Sequence, residues 1–562
     1  MDWKERWEQW KLRADDAYVR ADLDTLTEEQ AKERFSGDLE FGTGGLRGVI
    51  GAGTARMNVY TVRKATQGFA QYICGHGMQA REAGVVIAHD NRRQAKEFTL
   101  AAAGVLAANG IQTYVFDSLR PTPELSFAVR YLGCFGGIVV TASHNPPQYN
   151  GYKLYDSTGC QLVPQFSDAV TALVAQVEDE LTVPCLTPEE AGDMIRTVPA
   201  AVDEAYYQAV LDIQLNPALD KQGLKIVFSP QHGTSNVPVR QVLGRLGYDL
   251  HVVEEQAWPD PEFSNTKNPN PEERVAFDMA VEQAGAIGAQ LIITTDPDAD
   301  RLGVAVLHNG DYVFLSGNQT GAVLLEYILG QRRAQGTLPA NGIVINTIVT
   351  SDLGDRIAQA YGMTTEKTLT GFKFIGDRIR DHEKSGDHTY VFGYEESYGY
   401  LISPICRDKD AIQAVLMLCE CANYYRHQGK TLQDALEAVF AQYGTFIESL
   451  FSIALEGSAG QARIGEIMAT LRAQPPAQLA NTDVVAVEDY EALVRTAGGQ
   501  TTKLTLPKSD VLKFLLADGS WAAVRPSGTE PKCKFYFCAQ GATMAEAQAR
   551  MQGMRKYFEQ FK

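Results

Sequence analysis

Asp296, Asp298 and Asp300 occupy alternate positions in Asp296-Pro297-Asp298-Ala299-Asp300-Arg301, directly after the apolar run Leu291-Ile292-Ile293-Thr294-Thr295. In an extended loop at a strand end, carboxylates at i, i+2 and i+4 point to one side. Three anions that close repel unless a cation joins them, and oxygen-only ligands suit Mg2+. The opening spacing matches an EF-hand loop, but that loop needs Gly at its sixth position and Glu at its twelfth. Arg301 and Leu307 stand there, so calcium-loop chemistry is excluded. Ser143 is the second candidate. Its segment, Thr141-Ala142-Ser143-His144-Asn145-Pro146, follows the apolar run Gly137-Ile138-Val139-Val140, and Pro146-Pro147 blocks continuation of helix or strand. A serine on a rigid loop at a strand end is a candidate nucleophile or phosphate carrier. Neighbours in an extended loop point apart, so the adjacency of His144 to Ser143 does not make a Ser-His triad.

Three further loops combine groups suited to polar, anionic ligands. Phe41-Gly42-Thr43-Gly44-Gly45-Leu46-Arg47-Gly48 gathers glycines around one arginine, so backbone amides and a guanidinium can approach an anion. Its spacing is not that of a dinucleotide fingerprint, because Arg47 replaces the last glycine. Glu395-Glu396-Ser397, between Gly393 and Gly399, offers carboxylate and hydroxyl groups that fit a polyol. Arg525-Pro526-Ser527-Gly528-Thr529-Glu530-Pro531-Lys532 reads as a compact nest for a phosphate dianion. Gly429-Lys430-Thr431 is not a P-loop end, since Tyr424 stands where the first glycine belongs.

The elements that position these loops alternate in type. Helical patterns fill residues 1–35, where Trp3, Trp7 and Trp10 make one apolar face. A helix is expected from Val59 to Ile73 and another from Ala95 to Asn109, with strands at 84–88, 112–116 and 137–140. The same style recurs with strands at 224–228, 248–253 and 291–295, then at 342–347 and 389–392, with intervening helices near 320–327 and 353–361. A less regular C-terminal region has strands expected near Lys503–Leu506, Asp510–Phe514 and Cys533–Cys538. The expected fold is three related α/β domains, at 1–205, 206–318 and 319–440, plus an α+β domain at 441–562.

At 562 residues the chain is too long for a single core. Its net charge of -18 argues against a general nucleic-acid or membrane-surface binder. No apolar run reaches membrane-spanning length, and the charged N-terminus lacks a signal core. Nine cysteines without a framework fit a reducing compartment, and Cys419 and Cys421 read as core residues of a helix. The nine histidines are dispersed. A cytoplasmic, multidomain protein is expected.

Taken together, these motifs resemble those of the α-D-phosphohexomutase family, most closely its phosphoglucomutase branch, and the resemblance runs from Gly42 to Lys532. It implies four domains around a central active-site cleft, an active-site phosphoserine and Mg2+. By motif match, Ser143 would be the phosphorylated residue, and its phosphate with Asp296, Asp298 and Asp300 would hold the metal. Arg47, Lys153 and His144 would complete the catalytic set. Arg301, Thr370, Gly371, Lys373, Glu395, Ser397 and Lys409 would contact the sugar, with Arg47. Arg525, Ser527, Gly528, Thr529 and Lys532 would clamp the distal phosphate. The implied reaction interconverts glucose 1-phosphate and glucose 6-phosphate through glucose 1,6-bisphosphate, in a monomer or homodimer whose partner is a small sugar phosphate. Mannose- and pentose-phosphate mutases are the alternatives, with a catalytically silent sugar-phosphate-binding protein behind them. In the phosphomannomutase/phosphoglucomutase branch a histidine commonly follows the Glu-x-Ser pair, whereas here Ser397 is followed by Tyr398-Gly399, which lowers the mannose reading.

Overall fold

The structure, a computed structural model, describes residues 2–42, 45–455, 457–526 and 532–562, without the side chains of 457–459. Its contacts divide into two units. Unit 1 comprises Met1–Leu315, Phe372–Phe392 and Ser397–Thr431, and unit 2 comprises Ser316–Gly371, Gly393–Glu396 and Leu432–Lys562.

Unit 1 opens with the helices Trp3–Arg13, Ala17–Leu23 and Glu28–Phe35. Asp2 and Glu5 form a reciprocal capping box on the first. Trp7 and Trp10 are buried as their spacing predicts. Trp10 meets Phe35 and Tyr60 edge-on, at 5.5 and 5.2 Å between ring centres.

The first sheet of unit 1 contains β1 (Gly45–Val49), β2 (Val85–His89), β3 (Thr113–Val115), β4 (Gly136–Val140), β5 (Tyr149–Asp156) and β6 (Ile195–Thr197). Their order is β1-β5-β4-β2-β3-β6. Strands β2, β3, β4 and β6 run parallel, and β5 runs antiparallel to β4 and β1. Parallel strands are apolar on both faces, and β2 and β4 follow that rule, with only His89 partly exposed. The register places His89 beside Val140, so the segments leaving β2 and β4 emerge side by side.

The second sheet contains β7 (Lys225–Ser229), β8 (Asp249–Val252), β9 (Leu291–Thr295), β10 (Leu302–His308) and β11 (Asp311–Leu315), in the order β11-β10-β9-β7-β8. Strands β7, β8 and β9 are parallel, whereas β9 and β10 are an antiparallel pair in which Thr295 faces Leu302. The aspartates therefore lie on the loop that joins two adjacent antiparallel strands.

In unit 2, β12 (Gly342–Thr347) runs parallel to β13 (Thr364–Thr368), and the helix Gly317–Ala334 starts at a Ser316–Gln319 capping box. The next strands are β14 (Thr389–Glu395), whose last three residues belong to unit 2, and β15 (Gly399–Leu401). The C-terminal sheet contains β16 (Thr445–Ala454), β17 (Gln478–Leu479), β18 (Thr482–Asp489), β19 (Val494–Ala497), β20 (Gln500–Lys503), β21 (Leu512–Leu516), β22 (Trp521–Pro526) and β23 (Lys532–Gly541). Its order is β16-β23-β22-β21-β18-β19-β20, with β17 on β18. The strand expected at Lys503–Leu506 lies earlier, at β20. Gly498 and Gly499, both at positive φ, close a two-residue turn that pairs Ala497 with Gln500 and sets the register. The helix expected near 320–327 is longer, at Gly317–Ala334; the other expected helices and strands are present within a few residues of their predicted ends, and the cysteines are free. Among the described residues, no helix is long and apolar enough to cross a membrane.

Candidate active site

The Ser143 loop is built by the neighbour of its own strand. Asp90 and Arg92 follow β2, and Thr141 to Ser143 follow β4. The Thr141 hydroxyl donates to Asp90 Oδ2 at 2.6 Å, and the Ser143 amide donates to Thr141 Oγ1 at 2.8 Å. Buried Arg92 pairs with Asp90 and donates to four carbonyls, those of Ser143 (2.5 Å), Asn145 (2.6 Å), Pro146 (3.0 Å) and Tyr149 (3.0 Å). Under this restraint Ser143 takes a left-handed φ of 52°, unusual for a residue with a Cβ.

That φ corrects the expectation for His144. The loop is not extended at Ser143, so Ser143 Oγ lies 3.1 Å from His144 Nδ1. Burial, then the cations Arg301 and Arg47, push the His144 imidazole well below its ordinary pKa, which keeps it neutral. Ser143 Oγ also donates to Asp296 Oδ2 at 2.7 Å. Arg47, on β1, reaches Asn145 Oδ1 at 3.4 Å.

The aspartate loop likewise turns rather than extends. Ala299 has a φ of 58°, and Asp296 Oδ1 accepts the amides of Asp300 (3.0 Å) and Arg301 (2.9 Å). The convergence expected of the three carboxylates still results, with one oxygen from each within 4.8 Å of the others. Gly233 makes room for the loop, because a Cβ there would sit 2.5 Å from the Pro297 backbone.

Cations from distant segments surround the acids. Lys153 Nζ lies 3.0 Å from Asp298 Oδ2 and 3.9 Å from Asp300 Oδ2, and Lys409 Nζ lies 3.0 Å from Asp300 Oδ2. Arg301 Nε stands 3.8 Å from Asp300 Oδ1, and Arg301 also pairs with Glu272. The Lys409 stem crosses Gly399 so closely that a Cβ would overlap it. Burial, then repulsion from Asp300 and Asp298, raises the Asp296 carboxyl well above the usual range. Burial pushes Asp298 up too, but Lys153, a hydrogen bond with Asp296 and Lys409 together outweigh it and hold that carboxyl low.

Asp298 Oδ1 and Asp300 Oδ1 are buried and accept no hydrogen bond. Leaving such oxygens unmet is costly, and an all-oxygen set of this kind suits a hard divalent cation such as Mg2+.

Unit 2 carries other residues singled out in the sequence. Glu395, buried at the end of β14, accepts the Gly371 amide at 2.7 Å, and Gly371 has a φ of 118°. Thr370 Oγ1 is shielded without a hydrogen-bond partner. Arg525 and Lys532 occupy facing ends of β22 and β23, while Ser527, Gly528 and Thr529 lie outside the described residues, as do Thr43 and Gly44 of the glycine-rich loop. Lys373 and Ser397 belong to unit 1, Lys373 at the start of the helix Phe372–Ser385 with its ammonium 5.4 Å from the Phe374 ring centre, and Ser397 in the turn after β14.

Sequence reasoning missed four supports. These are the Asp90–Arg92 pair, Thr122, whose hydroxyl donates to Asp298 Oδ2 at 3.0 Å, Asp408, which holds Lys409 at 3.1 Å, and Tyr155, which donates to Asp408 at 2.7 Å. The only local signal was the charged run Asp90-Asn91-Arg92 at a strand end.

Fold and geometry together define an α/β protein built around a serine–carboxylate centre. Four models of the phosphoglucomutase/phosphomannomutase family match the chain in order: α/β/α domain I at residues 38–180, domain II at 204–310, domain III at 316–443 and the C-terminal domain at 473–552. The chain belongs to this family. It is 39% identical over 528 residues to a phosphoglucomutase of Staphylococcus epidermidis, covering 93% of this chain and 94% of that one. It is 38% identical over 534 residues to a phosphoglucomutase of Staphylococcus aureus, covering 94% of each. Its fold is shared with the open form of parafusin, a phosphoglucomutase from Paramecium, at a TM-score of 0.68 and 19% identity, over 94% of this chain and 96% of that one.

Proposed function

We propose that this chain is a phosphoglucomutase, interconverting α-D-glucose 1-phosphate and glucose 6-phosphate through a phosphorylated Ser143. The observation that carries the reading is the 2.7 Å hydrogen bond from Ser143 Oγ to Asp296, within a cluster whose Asp298 Oδ1 and Asp300 Oδ1 lack hydrogen bonds. Asp296, Asp298 and Asp300, with the phosphate on Ser143, would hold Mg2+. When bound, Mg2+ supplies the charge neutralisation that a phosphoserine beside three carboxylates requires.

Phosphoryl transfer depends chiefly on in-line positioning and on offsetting charge. In the first step the phosphorus–Oγ bond of phospho-Ser143 breaks as phosphorus bonds to the 6-oxygen of glucose 1-phosphate, and the proton of that hydroxyl passes to Ser143 Oγ, giving glucose 1,6-bisphosphate. After the intermediate reorients, the phosphoryl group at C1 passes to Ser143 Oγ and glucose 6-phosphate leaves. In this second step Ser143 gives up its hydroxyl proton. Asp296 Oδ2, which accepts the Ser143 hydroxyl at 2.7 Å, and His144 Nδ1, 3.1 Å from the same hydroxyl oxygen, are the groups within reach of that proton, which ends on the departing C1 oxygen. Lys153, Lys409 and Arg301 offset negative charge around the aspartates, and Arg47 serves the transferring group from β1. In unit 2, Thr370, Gly371 and Glu395 are assigned to sugar hydroxyls, and Arg525, Ser527, Gly528, Thr529 and Lys532 to the non-reacting phosphate. Lys373 and Ser397 are assigned to the sugar as well.

Intact-mass spectrometry, with assays of Ser143→Ala on glucose, mannose and pentose 1-phosphates, tests the reading. A phosphoryl adduct in the wild type that is absent from the variant, with glucose 1-phosphate turned over fastest and only by the wild type, is expected. Activity surviving in the variant would overturn the mechanism, and a faster mannose or pentose substrate would reassign the specificity.

A further inference from the structure

The helix Phe372–Ser385 ends beside a second cluster of side chains of metal-ligand type, built from different chemistry than the aspartate loop. Gly386, at a φ of 70°, reverses the chain, and its amide donates to the His382 carbonyl at 2.8 Å. The reversal carries Asp387 back beneath the helix end. Asp387 Oδ1 lies 2.9 Å from His382 Nδ1 and accepts the Ser385 hydroxyl (2.6 Å) and the His388 amide (2.8 Å). The His388 ring then returns against His382, edge to face, at 5.0 Å between centres. Its Nδ1 stands 3.5 Å from Asp387 Oδ2, shielded from water and without a hydrogen-bond partner.

We propose that His382, Asp387 and His388 form a binding site for a divalent transition-metal ion of the zinc type, fastening the end of this helix to the start of β14. The donor atoms of the three side chains lie within 4.8 Å of one another, close enough for one ion to gather them with small side-chain movements. Two imidazoles and a carboxylate suit Zn2+, Co2+ or Ni2+, whereas Mg2+ and Ca2+ take oxygen ligands. The donor set thus separates this site from the all-oxygen aspartate loop. Asp387 is half-exposed and His388 partly so, which leaves a way in for the ion and room for water in the remaining coordination positions. The Ser385 hydroxyl and the His388 amide already orient the carboxylate, and such outer contacts are the usual support of a metal ligand. Binding would replace whatever proton His382 and Asp387 share by the ion, with no other covalent change.

The test uses the full chain, stripped with a chelator and titrated with Co2+ while excess Mg2+ is present. Expected is one Co2+ per chain with the visible absorption of a nitrogen-ligated ion, competed away by Zn2+. In His388→Ala the Co2+ affinity falls at least about tenfold, while the thermal unfolding transition and Mg2+-dependent activity are retained. His382 is buried and its removal risks the fold, so Asp387→Asn serves as the second variant, with the same loss expected. Co2+ binding of equal strength in wild type and both variants, or no absorbing Co2+ complex in the wild type, would overturn the proposal.

Discussion

The guanidinium of Arg92 donates to the main-chain carbonyl of Ser143 at 2.5 Å, so an arginine following one strand holds the backbone of the serine that follows its neighbour. Arg92→Ala removes four carbonyl contacts and leaves Asp90 without its cation. A fall in kcat of about 100-fold is expected with KM little changed, because an ångström of misplacement can cost that much. Arg92→Lys keeps the charge but not the fork, and should recover only part of the rate. Steady-state kinetics, with circular dichroism as the check on folding, decide the matter.

Removing one oxygen donor from the aspartate loop should weaken metal binding before it disturbs the fold. Asp298→Asn also leaves Lys153 without the carboxylate 3.0 Å away. The Mg2+ concentration for half-maximal activity should rise by about tenfold or more, and kcat should fall. Chelation of the wild type should abolish turnover, with recovery on adding Mg2+. A Mg2+ titration of both proteins gives the comparison.

Gly399→Ala tests the path of Lys409. The added methyl overlaps the lysine stem, so the side chain must swing aside and the ammonium is drawn from its place 3.0 Å from Asp300. Destabilisation of about 1–3 kcal/mol is expected, together with lost activity. Urea unfolding followed by fluorescence measures the first, and the mutase assay the second.

Glu448, on β16, predicts a pH dependence. Burial raises its carboxyl to about 7 against an ordinary 4.5, even though the Ser351 and Ser316 hydroxyls work in the opposite direction. The folded state therefore keeps the proton longer than the unfolded chain. The associated stability is fully present below pH 4.5 and is lost as pH rises through 7. Since the side chain is only partly buried, the loss should be at most about 2 kcal/mol. Glu448→Gln should lack it, which urea midpoints of both proteins at pH 5 and pH 8 will show.

Much of this was legible in the sequence because buried strands announce themselves. Leu291–Thr295 and Gly342–Thr347 begin and end where their apolar runs do, and the acidic loop after the first is visible as a metal candidate for that reason. What stayed hidden depends on partners far along the chain. The left-handed Ser143, and with it the contact to His144, follows from Arg92. The shifted β20 follows from a glycine pair that outweighs strand propensity. His382 and His388 read as dispersed histidines until Gly386 turns the chain between them.

The hairpin of β9 and β10 also has a kinetic consequence. Local closure brings three carboxylates together early, since contacts between near neighbours in sequence form fastest. Lys153 has by then left the ribosome, but Lys409 has not, because synthesis runs from the N-terminus. Until Lys409 is made, a chain that has closed this hairpin has Lys153 and Arg301 to set beside the aspartates but lacks the ammonium that stands 3.0 Å from Asp300 in the folded protein.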